Sequence, residues 1–426
     1  MPPITDHPLR YAMSNELHAR PFPKLSAPSR AAFLALKPAS NAAGRDRSAD
    51  LAHLITLLDR YGAAHPQPDA THYSGQIGKH HLKWESHTEF VTYTIFGDGA
   101  AAQPFDAQTF QMFPQDWLEN APGTRITSAL IRIERHDGDE GIIAKANEWF
   151  VPESLAISRV LEDELIVASD FRIDPAGHMR MAVFARSTTG ERRIGRVVQR
   201  LCEIETYKSV AMLGLAAARN LSPRMASIEA QLSTLVLDLN SEDVQPEHTL
   251  KLLLAISAEL ENIVAKTAYR FGASKAYETI VTQRITVLRE ERFLGRQTFA
   301  EFMMRRFDPA MRTVESTQTR LAGLSDRALR AGDLLRTRVD VERSAQNQLL
   351  LTSMDQRADQ QLKLQKTVEG LSVVAISYYA VNLVLYMIGP VEKTMGIGKA
   401  YLAAGATPIV LLLVWLIIRR IHRQMH

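Results

Sequence analysis

Apolar residues recur at steps of three and four in Leu51, Leu54, Ile55 and Leu58. They predict an amphipathic helix over Ala49–Tyr61, ended by Gly62 and the His65–Pro68 stretch. Alternation of apolar and polar residues predicts strands over Gln76–Glu85, Glu89–Phe96 and Arg125–Arg135. Ser154–Val160, Glu164–Ile173 and His178–Arg186 continue the series, and the Asp174-Pro175-Ala176-Gly177 turn makes the last two a hairpin. A further helix near Phe113–Glu119 makes this part α/β.

From Gly190 onward the pattern is helical. Ile194, Val197, Val198 and Leu201 form one face, and Cys202 beside them reads as a small core residue. Ser222-Pro223 is expected to open a new helix, as a cap followed by proline. Pro246–Phe271 and Ser274–Arg306 follow as separate helices divided at Gly272. Asp308-Pro309 repeats the cap signal, and no proline occurs from Ala310 to Gly389. Val314, Leu321, Ala328 and Leu335 fall at sevens with Leu324 and Ala331 between them, a coiled-coil-like seam. That seam gives way to Gln, Asn, Asp and Arg around Gln346–Gln361.

Two uncharged runs of 19 residues close the chain, Leu371–Gly389 and Ala400–Ile418. At 1.5 Å per residue each makes a helix of about 28 Å, close to the thickness of a bilayer's hydrocarbon core. The domain boundaries expected are therefore 1–188 (α/β), 189–308 (helical), 309–370 (a long stalk helix), 371–418 (a transmembrane hairpin) and 419–426 (a basic tail). Within the hairpin the spans are 371–389 and 400–418, with an outer loop at 390–399. Lys363 and Lys366 precede the first span, and Arg419, Arg420 and Arg423 follow the second. The positive-inside bias puts both termini and the bulk of the chain in the cytoplasm.

The first span carries polar groups where lipid offers no partner. Ser372, Tyr379, Asn382, Tyr386 and Gly389 fall on one helical face together with Ala375. Such a seam must meet protein or water, which implies a homo-oligomer. It serves either as helix–helix glue or as the lining of a pore.

Fifty basic and 47 acidic residues give a net charge of +3, which argues against a nucleic-acid partner. A single cysteine excludes an intrachain disulfide or a cysteine-based zinc site. No catalytic signature is present. Gly75–His80 has the wrong glycine spacing for a phosphate loop, and HExxH, GxSxG and GxGxxG are absent. His72, His80, His81 and His87 cluster in sequence, but neighbours on a strand point to opposite faces, against one shared ion. Asp137-Gly138-Asp139-Glu140 offers oxygen ligands suited to Mg²⁺ or Ca²⁺, and reads equally as an acidic loop tip. Glu162-Asp163-Glu164 reads as a solvated turn.

Near the N-terminus, Asn15, Glu16, His18 and Arg20 pack an amide, a carboxylate, an imidazole and a guanidinium into six positions. They read as a binding surface or as a short capped helix that Pro21 ends. The stretch from His7-Pro8 through this Asn15–Phe22 run resembles the start of an uncharacterised bacterial family of membrane-anchored proteins, known only as a domain of unknown function. The resemblance runs the length of the chain and implies a protein of the bacterial inner membrane.

The order of parts also resembles the CorA-type divalent-cation channels: α/β domain, helices, stalk, span, outer loop, span and basic tail. That resemblance implies a pentamer, a pore lined by the first span, and Mg²⁺ or a similar dication as the ion carried. The family's Gly-Met-Asn signature is absent, because the corresponding stretch here is Tyr386-Met387-Ile388-Gly389-Pro390. Two functions are expected on these grounds. One is a CorA-like cation channel with Asn382 as its polar ring. The other is a non-conducting, membrane-anchored sensor or scaffold that acts through its α/β domain. An enzyme is not expected.

Overall fold

The structure, a computed structural model, describes residues 4–11, 13–14, 22–39, 44–68, 70–238, 246–395 and 398–425, with 390–395, 399, 402 and 421–425 described by backbone alone. It divides into two compact units, residues 1–243 with 251–331, and residues 244–250 with 332–426.

The first unit is built on a nine-stranded sheet in the order β2-β3-β4-β1-β5-β8-β7-β6-β9. The strands are β1 (Ser29–Lys37), β2 (His72–Ile77), β3 (His80–Ser86), β4 (Val91–Asp98), β5 (Thr124–His136), β6 (Ala156–Val160), β7 (Leu165–Ser169), β8 (Met179–Arg186) and β9 (Glu291–Arg292). Only β5 and β8 pair in parallel.

Strand β1 pairs with β4 on one side and β5 on the other, and no sequence expectation covered it. Its run Ala31-Ala32-Phe33-Leu34-Ala35-Leu36 is buried throughout, because both faces of the sheet are covered there. Such a strand loses the alternation by which strands are usually found. Ala31, Phe33 and Ala35 enter one core, while Ala32, Leu34 and Leu36 enter the other.

Helices lie on both faces. On one face, α1 (Arg47–Arg60) supplies Leu54, Leu57 and Leu58 beside Trp117 of α2 (Gln115–Glu119). Farther along that face, α3 (Asp139–Trp149) packs Ile142, Ala146 and Trp149 against β6–β8. On the other face lie α4 (Glu191–Asp238), α5 (Pro246–Thr286), α6 (Phe299–Arg306) and the first turns of α7 (Asp308–Met395).

Several boundaries differ from expectation. The Gln76–Glu85 stretch is a hairpin of β2 and β3, because Gly78 takes a φ of +57° that reverses the chain. Ser222-Pro223 lies inside α4 instead of opening a helix. The proline removes one hydrogen bond, and residues 219 and 222–224 are exposed, so water can satisfy the freed carbonyl. Gly272 does not break α5, since it sits in open space and a helix tolerates it. The chain breaks instead after Thr286, where Arg289, Leu294 and Gly295 adopt positive φ. There the half-buried Glu290 carboxylate accepts hydrogen bonds from Ser158 and from the backbone N–H groups of Phe299 and Ala300 at the start of α6.

The coiled-coil-like seam pairs within the chain. Leu321, Leu324, Ala328 and Ala331 of α7 pack against Met225, Ile228 and Leu232 of α4 and Leu253, Ile256 and Leu260 of α5. Gly214 of α4 lets Ser274 of α5 approach closely, since a Cβ there would stand 2.3 Å from the Ser274 hydroxyl oxygen.

The first unit is also pinned by a buried ion pair. Glu89, in the β3–β4 turn, is fully buried and accepts two hydrogen bonds from Arg270 of α5, at 2.6 and 2.8 Å. Burial, then the Glu89 charge, push the Tyr269 and Tyr277 phenols up. Arg45 ties the same turn to α1, donating to the carbonyls of His87 and Phe90 and pairing with Asp50.

In the second unit α7 runs on through Pro390 to Met395, past the expected end of the span at Gly389, and α8 (Lys399–Met425) begins where the outer loop was expected to close.

Replacing Arg270 by Ala leaves the buried Glu89 carboxylate with Lys37, 4.0 Å away, as its remaining cation, and is expected to cost about 3–5 kcal/mol in denaturant unfolding. A loss below about 1 kcal/mol would show that water reaches Glu89. The imidazoles of His53, His80, His81, His136 and His178 are held below their ordinary value of 6.5, chiefly by burial. As pH falls through that value the unfolded chain protonates first, so the stability they confer is present above it and lost below it. The urea midpoint is expected to drop between about pH 7.5 and about pH 5.5, and a flat profile would contradict their burial.

Candidate functional site

The structure places Ser372, Tyr379, Asn382, Tyr386 and Gly389 on α7 with no break between them. Ser372, Tyr379 and Tyr386 are exposed, while Asn382 and Gly389 are half-buried. The Ser372 hydroxyl donates to the Val368 carbonyl at 2.8 Å and so needs no outside partner. Two helices of this unit are long and apolar enough to cross a membrane, and they contain the two expected spans.

Burial along α7 falls on its opposite side. Ser377 is the buried residue there, with Val373, Val381, Val384 and Ile388 half-buried on the same side. On α8 the buried residues are Val410 and Val414. At about 100° per residue, the covered side of α7 lies about half a turn from the polar seam. Of the seam, Ser372, Tyr379 and Tyr386 are exposed, whereas Asn382 and Gly389 are half-buried.

Asn15, Glu16, His18 and Arg20 lie outside the described residues. Description resumes at Phe22, which sits 5.2 Å beneath the Arg196 guanidinium. Pro23 follows, and its carbonyl oxygen lies so close to Gly195 of α4 that a Cβ there would stand 1.7 Å from it. The Leu25 amide then donates to the Glu191 carbonyl.

Phe22 and Pro23 border a cleft between the sheet and α4 and α5, a site the sequence did not reveal. A polar chain crosses it. Lys83 and Glu85 of β3 stand 3.3 Å apart, and Lys83 donates to Gln199 of α4. Gln199 donates to Glu203 at 2.8 Å, and Glu203 also accepts from Arg284 of α5. Two carboxylates thus face two cations along this chain, and Arg200 adds a third cation at the outer cavity. The inner cavity, beside Phe33, Phe96 and Cys202, is about 20 Å³, enough for about one water. The outer one, lined by Phe22, His87, Arg200, Tyr207 and Arg284, is about 270 Å³. Burial pushes the Cys202 thiol up, as for an inert core residue.

The family model of a protein of unknown function, DUF3422, matches residues 5–425. The chain belongs to the DUF3422 family. Membership meets the resemblance read from His7 through Phe22, and the match takes in both the sheet and the two apolar helices. No curated protein matches the chain.

The remaining candidates of this DUF3422 chain fall apart in space. His80 and His81 occupy successive positions of β3, and His81 bonds with Ser74 at 2.8 Å. His87 stacks on Phe90. Among the described residues no group of three or more His, Cys, Asp or Glu could hold a metal ion. Asp139 and Glu140 open α3 as its acidic first turn, and Asp139 pairs with Arg159. Glu162, Asp163 and Glu164, expected as a solvated turn, pair with Arg289, with Arg159 and Arg186, and with Arg193.

Gly195→Ala is expected to expel Pro23 from the cleft border at a cost of about 1–3 kcal/mol. Faster tryptic cleavage after Lys24 would accompany it. Unchanged cleavage would show that the segment is held elsewhere.

Proposed function

We propose that the protein is a homo-oligomeric ion channel or transporter of the bacterial inner membrane, anchored by its two C-terminal spans, with the first span lining the path. The observation that carries this reading is the polar seam of the first span, in which Tyr379 and Tyr386 are largely exposed. A polar side in hydrocarbon is costly unless protein or water meets it, and copies arranged around an axis supply both.

Asn382 is the constricting polar ring, and the Tyr379 and Tyr386 hydroxyls add neutral oxygens. These groups can hold a hydrated ion without stripping its water. The resemblance of layout to CorA-type channels points to a divalent cation such as Mg²⁺. Both termini and the sheet domain lie in the cytoplasm, on the side the flanking Lys and Arg residues favour. Catalysis has no part in this reading.

A second reading keeps the anchor and removes the conduction: a sensor or scaffold that works through the α/β domain. The cleft beside Phe22 favours it, since His87, Arg200 and Tyr207 line an open chamber next to the polar chain.

Full-length protein in liposomes loaded with a Mg²⁺-sensitive dye separates the two. Dication entry that falls to the protein-free background in Asn382→Leu is the expected result. Absence of flux from folded, oligomeric protein for Mg²⁺, Co²⁺, Ni²⁺ and Zn²⁺ would overturn the channel and leave the sensor.

A further inference from the structure

From Arg343 to Val368 nearly one continuous stretch of α7 is bare on every side of the helix. It is also far from uniformly polar. Leu350, Met354, Leu364, Val368 and Leu371 are all more than half exposed. Together with Arg357, Gln361 and Ala375 they fall at alternating steps of three and four, from Leu350 to Ala375. This is a heptad with Leu350, Arg357, Leu364 and Leu371 at one core position and Met354, Gln361, Val368 and Ala375 at the other.

The flanking positions strengthen the pattern. Those on one side of the core are Leu351, Ala358 and Gln365, and those on the other are Ser353, Gln360 and Thr367, with no charge among them. The charges of this stretch, Arg357 apart, lie at outer positions: Asp355, Asp359, Lys363, Lys366 and Glu369. Lys363 pairs with Asp359 there, within its own helix. A face that meets its own copy sets every charge against the same charge, so a self-pairing face carries few. Arg357, whose long stem lets its guanidinium leave the seam for water, is the one charge at a core position here. The earlier seam at Leu321–Ala331 is already used against α4 and α5, whereas this one has no intrachain cover.

We propose that the Leu350–Ala375 face packs against the same face of further copies of this chain, parallel and in register. The interface runs on without interruption into the polar seam of the first span, because α7 is one helix through both. Every copy enters the membrane in the same sense, which fixes the parallel direction. The buried Arg357 and Gln361 positions set the register, as isolated polar core residues do. This inference rests on the oligomeric part of the proposed function and is independent of conduction.

Cysteine cross-linking tests it on the full-length protein in membranes, since native Cys202 is buried. Leu364→Cys and Val368→Cys, on the face, are each compared with Leu362→Cys, which is also exposed but lies on another side. Under mild oxidation the first two are expected to form disulfide-linked dimers rapidly and Leu362→Cys slowly. Equal rates at all three positions, or no dimer at any, would overturn the interface. The dye-flux assay on the uncross-linked variants keeps the two ideas apart. Rapid cross-linking without flux upholds the interface and defeats the channel, whereas flux without face-specific cross-linking does the reverse.

Discussion

The packing of α7 against α4 and α5 is the constraint on which the remaining parts depend. Leu321, Leu324, Ala328 and Ala331 hold the first part of the long helix within the first unit, in a three-helix core separate from the sheet's own cores. A single helix of 88 residues has little other means of being held. Beyond Val339 its apolar burial stops, and the helix continues as bare surface up to the segment that suits a membrane. One element therefore serves in turn as part of a core, as a helix without intrachain cover and as an apolar segment long enough to cross a membrane.

The first unit is built around its sheet. Helices on both faces of the nine strands give cores on either side of β1. Glu89 with Arg270, and Arg45 with Asp50, lock the β3–β4 turn between α5 and α1. Such pairs contribute more to a single arrangement than to net stability, since desolvation offsets much of their attraction. In the cleft beside Phe22 both acids are likewise paired with bases of the chain itself.

Much of this was legible in the sequence where a pattern has one physical cause. The apolar runs at 371–389 and 400–418, the helix near residue 50 and the strands at 91–98 and 124–136 follow directly from periodicity. Strand β1 was hidden because burial on both faces erases alternation. The cleft was hidden for the opposite reason. Lys83 and Glu85 alternate with Leu82 and Trp84, as on a solvent-facing strand, yet α4 covers them. Pro223 misled because a proline that opens a helix and one tolerated inside it look alike until the exposure of its turn is known. The seam at Leu321–Ala331 was visible as a heptad, but a heptad does not name its partner, and here the partner is the same chain.

The central place of β1 has a consequence for how the molecule is made. Its partners β4 and β5 follow it in the chain, and β8, which extends the sheet, ends only at Arg186. Such long-range pairing is slow, because loops must close before any contact rewards them. Translation leaves time for it. The last strand, β9, ends at Arg292, and between it and Leu371 the ribosome adds 371 − 292 = 79 residues, which takes roughly 4–16 s at ordinary elongation rates. The sheet can close while the first apolar segment has yet to be synthesised. The order of the chain thus places the folding of the sheet before the synthesis of the two apolar helices.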